Sequence, residues 1–96
     1  MRVGFHPRAL KDVQRIRGYI SSHGSTVSAE RVRNHLISRI DKLRAKPDLG
    51  PISQYPGVRV LAPTRYPYNI YYTIQDEFVL ILHVRHTSRS TLKELK

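Results

Sequence analysis

Arg65-Tyr66-Pro67-Tyr68-Asn69-Ile70-Tyr71-Tyr72-Thr73-Ile74, then Gln75-Asp76-Glu77, then Phe78-Val79-Leu80-Ile81-Leu82-His83-Val84-Arg85-His86 decides the fold of this chain. Two runs rich in β-branched and aromatic residues flank a three-residue polar turn, which is the pattern of a β-hairpin. The hairpin holds four of the six tyrosines, and it ends in Arg85-His86-Thr87-Ser88-Arg89. Alternation puts Tyr66, Tyr68, Ile70, Tyr72 and Ile74 on one face of the first strand and Pro67, Asn69, Tyr71 and Thr73 on the other. On the second strand the same rule makes Phe78, Leu80, Leu82 and Val84 the inner face. Val79, Ile81, His83 and Arg85 then form the outer one.

Working outward, Arg2 to His6 alternates as a short first strand, and Pro7 stands where a helix begins, since the first helical position needs no N–H. Leu10, Val13, Ile16 and Ile20 recur at helical spacing up to about Ser22. His23-Gly24 closes that helix, with glycine expected in the left-handed conformation. Ser25 or Thr26 can cap a second helix with an apolar stripe of Ala29, Val32, Leu36, Ile40 and Leu43, widened by Ile37 and stopped by Pro47. Lys46 to Gly57 holds three prolines and two glycines and reads as a loop. Val58 to Ala62 is a further strand, and Pro63 and Thr64 turn the chain into the hairpin. The order is β-α-α-β-β-β. The expected fold is α+β in two layers, an antiparallel sheet packed by an α-helical hairpin. Residues 1–96 read as one domain, with a polar tail from 90 to 96 expected to be flexible.

Composition narrows the partners. The 96 residues carry 17 Lys and Arg against 7 Asp and Glu, a net charge of +10, and contain no cysteine. Disulfides and thiolate metal sites are excluded, and a polyanionic partner is favoured. Residues 1–50 hold 11 basic and 4 acidic side chains, so most of the excess sits in the helices. Arg8, Lys11, Arg15, Arg17, Arg31, Arg33, Arg39, Lys42 and Arg44 form either a solvated face or a surface for nucleic acid, and an acidic protein would satisfy the same charges. No stretch has the length and apolarity to span a bilayer or act as a signal peptide, so a cytoplasmic protein is expected.

Candidate chemistry centres on the hairpin tip. An imidazole titrates near neutrality, so His86 can serve as acid or base, while Arg85 and Arg89 can pair with phosphate oxygens. As a strand-end residue His86 can equally be structural. His83 reads as an outward-facing strand residue. Tyr66, Tyr68 and Tyr72 belong to the core face, which leaves Tyr71 as the ligand-facing tyrosine. The five histidines at 6, 23, 35, 83 and 86 match no metal motif, and no glycine-rich phosphate loop or nucleophile elbow is present, so neither metal nor cofactor is expected.

Five segments in this order resemble the RelE/ParE superfamily of toxins from type II toxin–antitoxin modules. They are Phe5-His6-Pro7-Arg8-Ala9-Leu10-Lys11-Asp12-Val13, Ile40 to Gly50, Tyr55-Pro56-Gly57-Val58-Arg59-Val60-Leu61, Arg65 to Tyr72, and Val79 to Arg89. The resemblance runs from about Val3 to Arg89. It implies a cognate antitoxin, acidic and folding on binding, with operator DNA contacted through the toxin–antitoxin complex. RelE-like members are ribosome-dependent mRNA endonucleases. For that branch the carried-over site is Arg59, Arg65, Arg85 and His86, but Asn69 and Thr87 stand where further basic residues are common. The Pro-Gly-Val-Arg segment and the His-x-x-Arg ending look more like the ParE branch, which implies inhibition of DNA gyrase without catalysis by the toxin. Arg59, Arg65, Tyr71, Arg85, His86 and Arg89 are then the expected contacts to target or antitoxin.

Overall fold

The computed structural model describes residues 1–62 and 64–88. Strand β1 (Arg2–Phe5) leads into helix α1 (Pro7–His23) and helix α2 (Thr26–Asp41), followed by a 3-10 turn at Lys42–Arg44. Strands β2 (Arg59–Leu61), β3 (Tyr68–Gln75) and β4 (Phe78–His86) complete a four-stranded sheet in the order β1-β4-β3-β2. The element order and the two layers are as the sequence predicts. The sheet is mixed, because β1 lies parallel to β4 while the other pairs are antiparallel. A parallel neighbour needs a long crossover, and here the helical hairpin is part of it.

Local chemistry sets the helix ends. Pro7 opens α1, and His6 Nδ1 accepts the Arg8 N–H at 3.1 Å. Ser25 caps α2 by accepting the Ser28 N–H at 3.0 Å. Gly24 does link the helices, but with φ −144° it is not left-handed. The α2 stripe is buried as expected at Ala29, Val32, Leu36 and Ile40, and Leu43 continues it from the 3-10 turn. The α1 stripe holds at Val13, Ile16 and Ile20 but not at Leu10, whose place is taken by Ala9. Leu10 is 49 % exposed, while Ala9 and Val13 are buried with Ile16 and Ile20 packed alongside.

On the sheet, Tyr68, Ile70 and Tyr72 face the helices, with Tyr66 and Ile74 partly buried beside them. The β4 assignment inverts over Phe78 to Leu82 and holds at Val84. Val79, Ile81 and Val84 belong to the core, and Phe78 is 37 % exposed. Two departures explain this. Gln75 stays paired with Phe78, so the turn has two residues, Asp76 and Glu77, with Asp76 at φ 55°. Further along, Tyr72 pairs with Ile81 but Tyr71 pairs with His83, so Leu82 is an extra residue in β4. A one-residue shift moves every side chain to the opposite face, and a bulge restores the phase only beyond it. Leu82 instead joins Tyr71, Val58, Tyr55 and Val60 in a second apolar cluster.

Two buried polar contacts tie the layers together. The Tyr72 hydroxyl donates to the Pro47 carbonyl at 2.7 Å and accepts the Gly50 N–H at 2.9 Å, which holds the proline-rich loop against the sheet. A side chain at Gly50 would meet the Val60 carbonyl oxygen at 2.7 Å, so only glycine allows this approach. The second contact lies where β1 ends. His6 N–H donates to Ile81 O at 2.8 Å, and beyond that point the chain leaves the sheet for α1. Asp12 takes the place of a strand: its Oδ2 accepts the Val84 N–H at 3.0 Å and lies 2.9 Å from His83 Nδ1. His83 is therefore not outward-facing but 2 % exposed, and Asp12 is 4 % exposed.

Replacing Asp12 by Ala leaves the Val84 N–H and the His83 ring buried without their acceptor. The expected loss is about 2–4 kcal/mol by urea unfolding, with a smaller loss for Asp12→Asn, which keeps one acceptor oxygen. A loss under about 0.5 kcal/mol for Asp12→Ala, the level of an ordinary surface change, would contradict this role. Burial also pushes the hydroxyls of Tyr68, Tyr71 and Tyr72 above the ordinary tyrosine value of 10.0. The unfolded chain then ionises these groups before the folded one. Stability from them is complete below pH 10 and declines as pH rises through the folded values. Alkaline unfolding followed by circular dichroism should show that decline, and Tyr72→Phe should make it shallower.

Candidate interaction site at the hairpin end

The last turn of the hairpin meets the outer flank of α1. Asp12, Arg15, Ile16 and Tyr19 form one wall of a cleft of about 370 Å³, and Tyr68, Val84, Arg85, His86 and Ser88 form the other. Helical spacing brings the α1 residues to one side, and the β3–β4 pairing sets Tyr68 opposite His86. The two rings meet edge to face with centroids 5.4 Å apart. His86 Nδ1 accepts the Ser88 N–H at 3.1 Å and lies 2.9 Å from Ser88 Oγ. With Nδ1 accepting, the neutral ring carries its proton on Nε2, so the open nitrogen is a donor rather than a base. Tyr19, 62 % exposed and stacked on His23 with centroids 4.2 Å apart, forms the outer lip.

Of the six residues picked out from the sequence, the five that are described do not converge. Only Arg85 and His86 line this cleft, and they point to different faces of the sheet. His86 shares the helix-facing side with Tyr68. Arg85 pairs with Asn69 on the far side, where its charge acts on the Tyr71 hydroxyl. Tyr71 is not ligand-facing. It is buried under Tyr55, with ring centroids 6.0 Å apart, and packs with Val58. Arg59 donates to the Gly50 carbonyl at 2.8 Å and braces the same loop as Tyr72. Arg65 sits over the Tyr66 ring, 5.7 Å from its centroid. Arg89 and the tail from 90 to 96 lie outside the described residues.

Sequence reasoning missed the α1 wall. Asp12 carried the available signal, a lone carboxylate between Ala9 and Val13 at the phase of the core, amid Arg8, Lys11 and Arg15. No group of three His, Asp or Glu side chains suited to a metal ion occurs among the described residues. No helix among them is long and apolar enough to cross a membrane.

A helical hairpin packed on a four-stranded mixed sheet is the RelE/ParE type of toxin fold. The family model of the ParE toxin of the type II toxin–antitoxin system parDE matches residues 3–91, and the chain belongs to that family. Among solved structures it is similar to a chain of the chromosomal ParDE toxin–antitoxin system of P. aeruginosa. The TM-score is 0.84 at 19 % identity, over 90 % of this chain and 95 % of that one. It is also similar to the isolated E. coli RelE toxin, with a TM-score of 0.66 at 22 % identity, over 93 % and 86 % of the two chains. A chain of the intact E. coli RelBE toxin–antitoxin complex matches with a TM-score of 0.66 at 22 % identity, over 92 % and 98 %. No curated protein matches the chain. The protein is a type II toxin–antitoxin toxin of the ParE/RelE superfamily.

The contact made by Arg59 is structural. Arg59→Ala is expected to lower unfolding stability by about 1.5–3 kcal/mol, the range for a hydrogen bond to a charged donor, as read from urea unfolding. Unchanged stability would return Arg59 to the set of free contact residues.

Proposed function

We propose that this toxin acts in the cytoplasm as a ParE-like inhibitor of DNA gyrase, arresting growth until a cognate antitoxin neutralises it. The observation that carries this reading is the division of the basic residues. Cleaving RNA through its 2′-hydroxyl needs an acid–base group and cations gathered around one phosphate. Here Arg59 braces a loop on the helix-facing side, Arg85 lies on the far side, and Arg65 is on the link between β2 and β3. His86 offers a proton donor at its open nitrogen. These positions support binding rather than nuclease catalysis. The match to the ParE toxin family model supports the same branch.

An antitoxin fits the surface in two ways. The net charge of +10 attracts an acidic segment, and the cleft between α1 and the hairpin end offers Tyr19 and Tyr68 as apolar walls for a chain that orders on binding. With such an antitoxin encoded beside it, the pair would stabilise the plasmid or chromosomal segment that carries them. Operator DNA would be held through the complex.

Purified toxin added to gyrase and relaxed plasmid should block supercoiling and leave cleaved DNA, and the antitoxin should reverse both effects. A parallel translation assay separates the alternatives. Cuts in translated mRNA that vanish in an Arg85→Ala, His86→Ala variant, with gyrase unaffected, would establish an mRNA interferase instead. Normal growth on induction without antitoxin would mark a fold that binds its antitoxin but is no longer toxic.

A further inference from the structure

Helix α2 carries a row of cations that the cleft beside α1 does not use. Arg31, His35, Arg39 and Lys42 recur at intervals of four, four and three residues, which places them on one flank of the helix and its 3-10 extension. Eleven residues at 1.5 Å each give a track about 16 Å long. Arg65, on the link between β2 and β3, adds a fourth cation to Arg31, Arg39 and Lys42, since the charges acting on the His35 ring are those of Arg39, Arg65 and Lys42. At its lower end the track borders a recess of about 390 Å³ between α2 and the Leu49–Pro51 loop, where His35 Nε2 lies 3.1 Å from Thr64 Oγ1.

The track is uncompensated. Helix α2 has two carboxylates, and both are engaged elsewhere: Glu30 with Arg17 of α1, and Asp41 with Arg44. Among the described residues, no carboxylate forms an ion pair with Arg31, Arg39, Lys42 or Arg65. Burial first, then the three neighbouring cations, holds the His35 imidazole below its ordinary value. Burial likewise lowers the Arg39 guanidinium. Crowded like charges of this kind raise the free energy of the isolated protein, and an anion laid along them lowers it.

We propose that the Arg31, His35, Arg39 and Lys42 track, extended by Arg65, is a docking surface for the phosphodiester backbone of duplex DNA. The linear arrangement favours this partner over an acidic peptide. One DNA strand is a continuous line of phosphates, one for about every 3.4 Å of axis, so a linear row of cations about 16 Å long can meet several of them in succession. A peptide that binds a helix face needs apolar anchors along it, but between Arg31 and Lys42 the apolar residues Val32, Leu36 and Ile40 are buried in the core, and the exposed Val27 and Leu49 lie only at the two ends of the row. Contacts of this type set position without reading sequence. The proposal concerns the toxin chain alone with DNA and does not rest on the gyrase reading.

Fluorescence anisotropy of a labelled 20-base-pair duplex, titrated with the full chain at several salt concentrations, tests it. Arg31→Gln, Arg39→Gln and Lys42→Gln together should weaken binding at least about tenfold and reduce the salt slope by about three. Arg2→Gln, Arg8→Gln and Lys11→Gln remove the same charge from elsewhere and should change binding much less. Circular dichroism establishes that both variants are folded. An equal loss in the two triple variants would reduce the effect to net charge and overturn the proposal. So would unchanged binding in the first variant. Displacement of the duplex by polyglutamate at a lower concentration of charge would assign the track to an acidic protein instead.

Discussion

A single buried carboxylate joins the two layers where the sheet runs out of strands. Strand β1 pairs with β4 only as far as Ile81, and the next inward N–H of β4 would otherwise be buried without an acceptor. Asp12 supplies that acceptor from the second turn of α1 and holds the His83 ring with the same oxygen. Several features depend on this contact. It fixes the rotation of α1, which is why Ala9 and Val13 face the core and Leu10 does not. By fixing α1 it also sets Arg15 and Tyr19 beside the end of β4, which creates the cleft.

Tyr72 does for the loop what Asp12 does for the helix. Its ring lies in the core, and its hydroxyl both donates to Pro47 and accepts from Gly50. Arg59 adds a bond to the Gly50 carbonyl. A segment with three prolines has few backbone N–H groups for a ladder, so side chains supply the order that a ladder would give. The consequence for function is a loss of candidates. Arg59, which sequence reasoning placed among the contact residues, is largely committed to the scaffold, and Tyr71 is committed to the apolar cluster on the far face. The cleft at the hairpin end and the track along α2 are built from different residues.

Much of the architecture was legible in the residues themselves. The two helices, their stripes on α2, the proline-rich loop and the β3–β4 hairpin all follow from periodicity and turn chemistry, because each depends on neighbours close in sequence. The family followed from the joint order of segments, and the match over residues 3–91 agrees with it. Legibility failed where one residue changes a phase. The turn is two residues, not three, and Leu82 is extra, so the faces of β4 were exchanged over Phe78 to Leu82 and correct again at Val84.

The sequence by itself determined the class of fold, the excess of positive charge and its concentration in the helices. These are sums over local patterns and need no knowledge of what lies opposite what. Tertiary structure alone decided that His83 is buried against Asp12, that β1 is parallel to β4, and that Arg85 and His86 face opposite sides of the sheet. Each of these depends on a contact between residues far apart in the chain. Sequence spacing carries no record of such contacts, because the partner is chosen by geometry and by the need to satisfy a buried polar group.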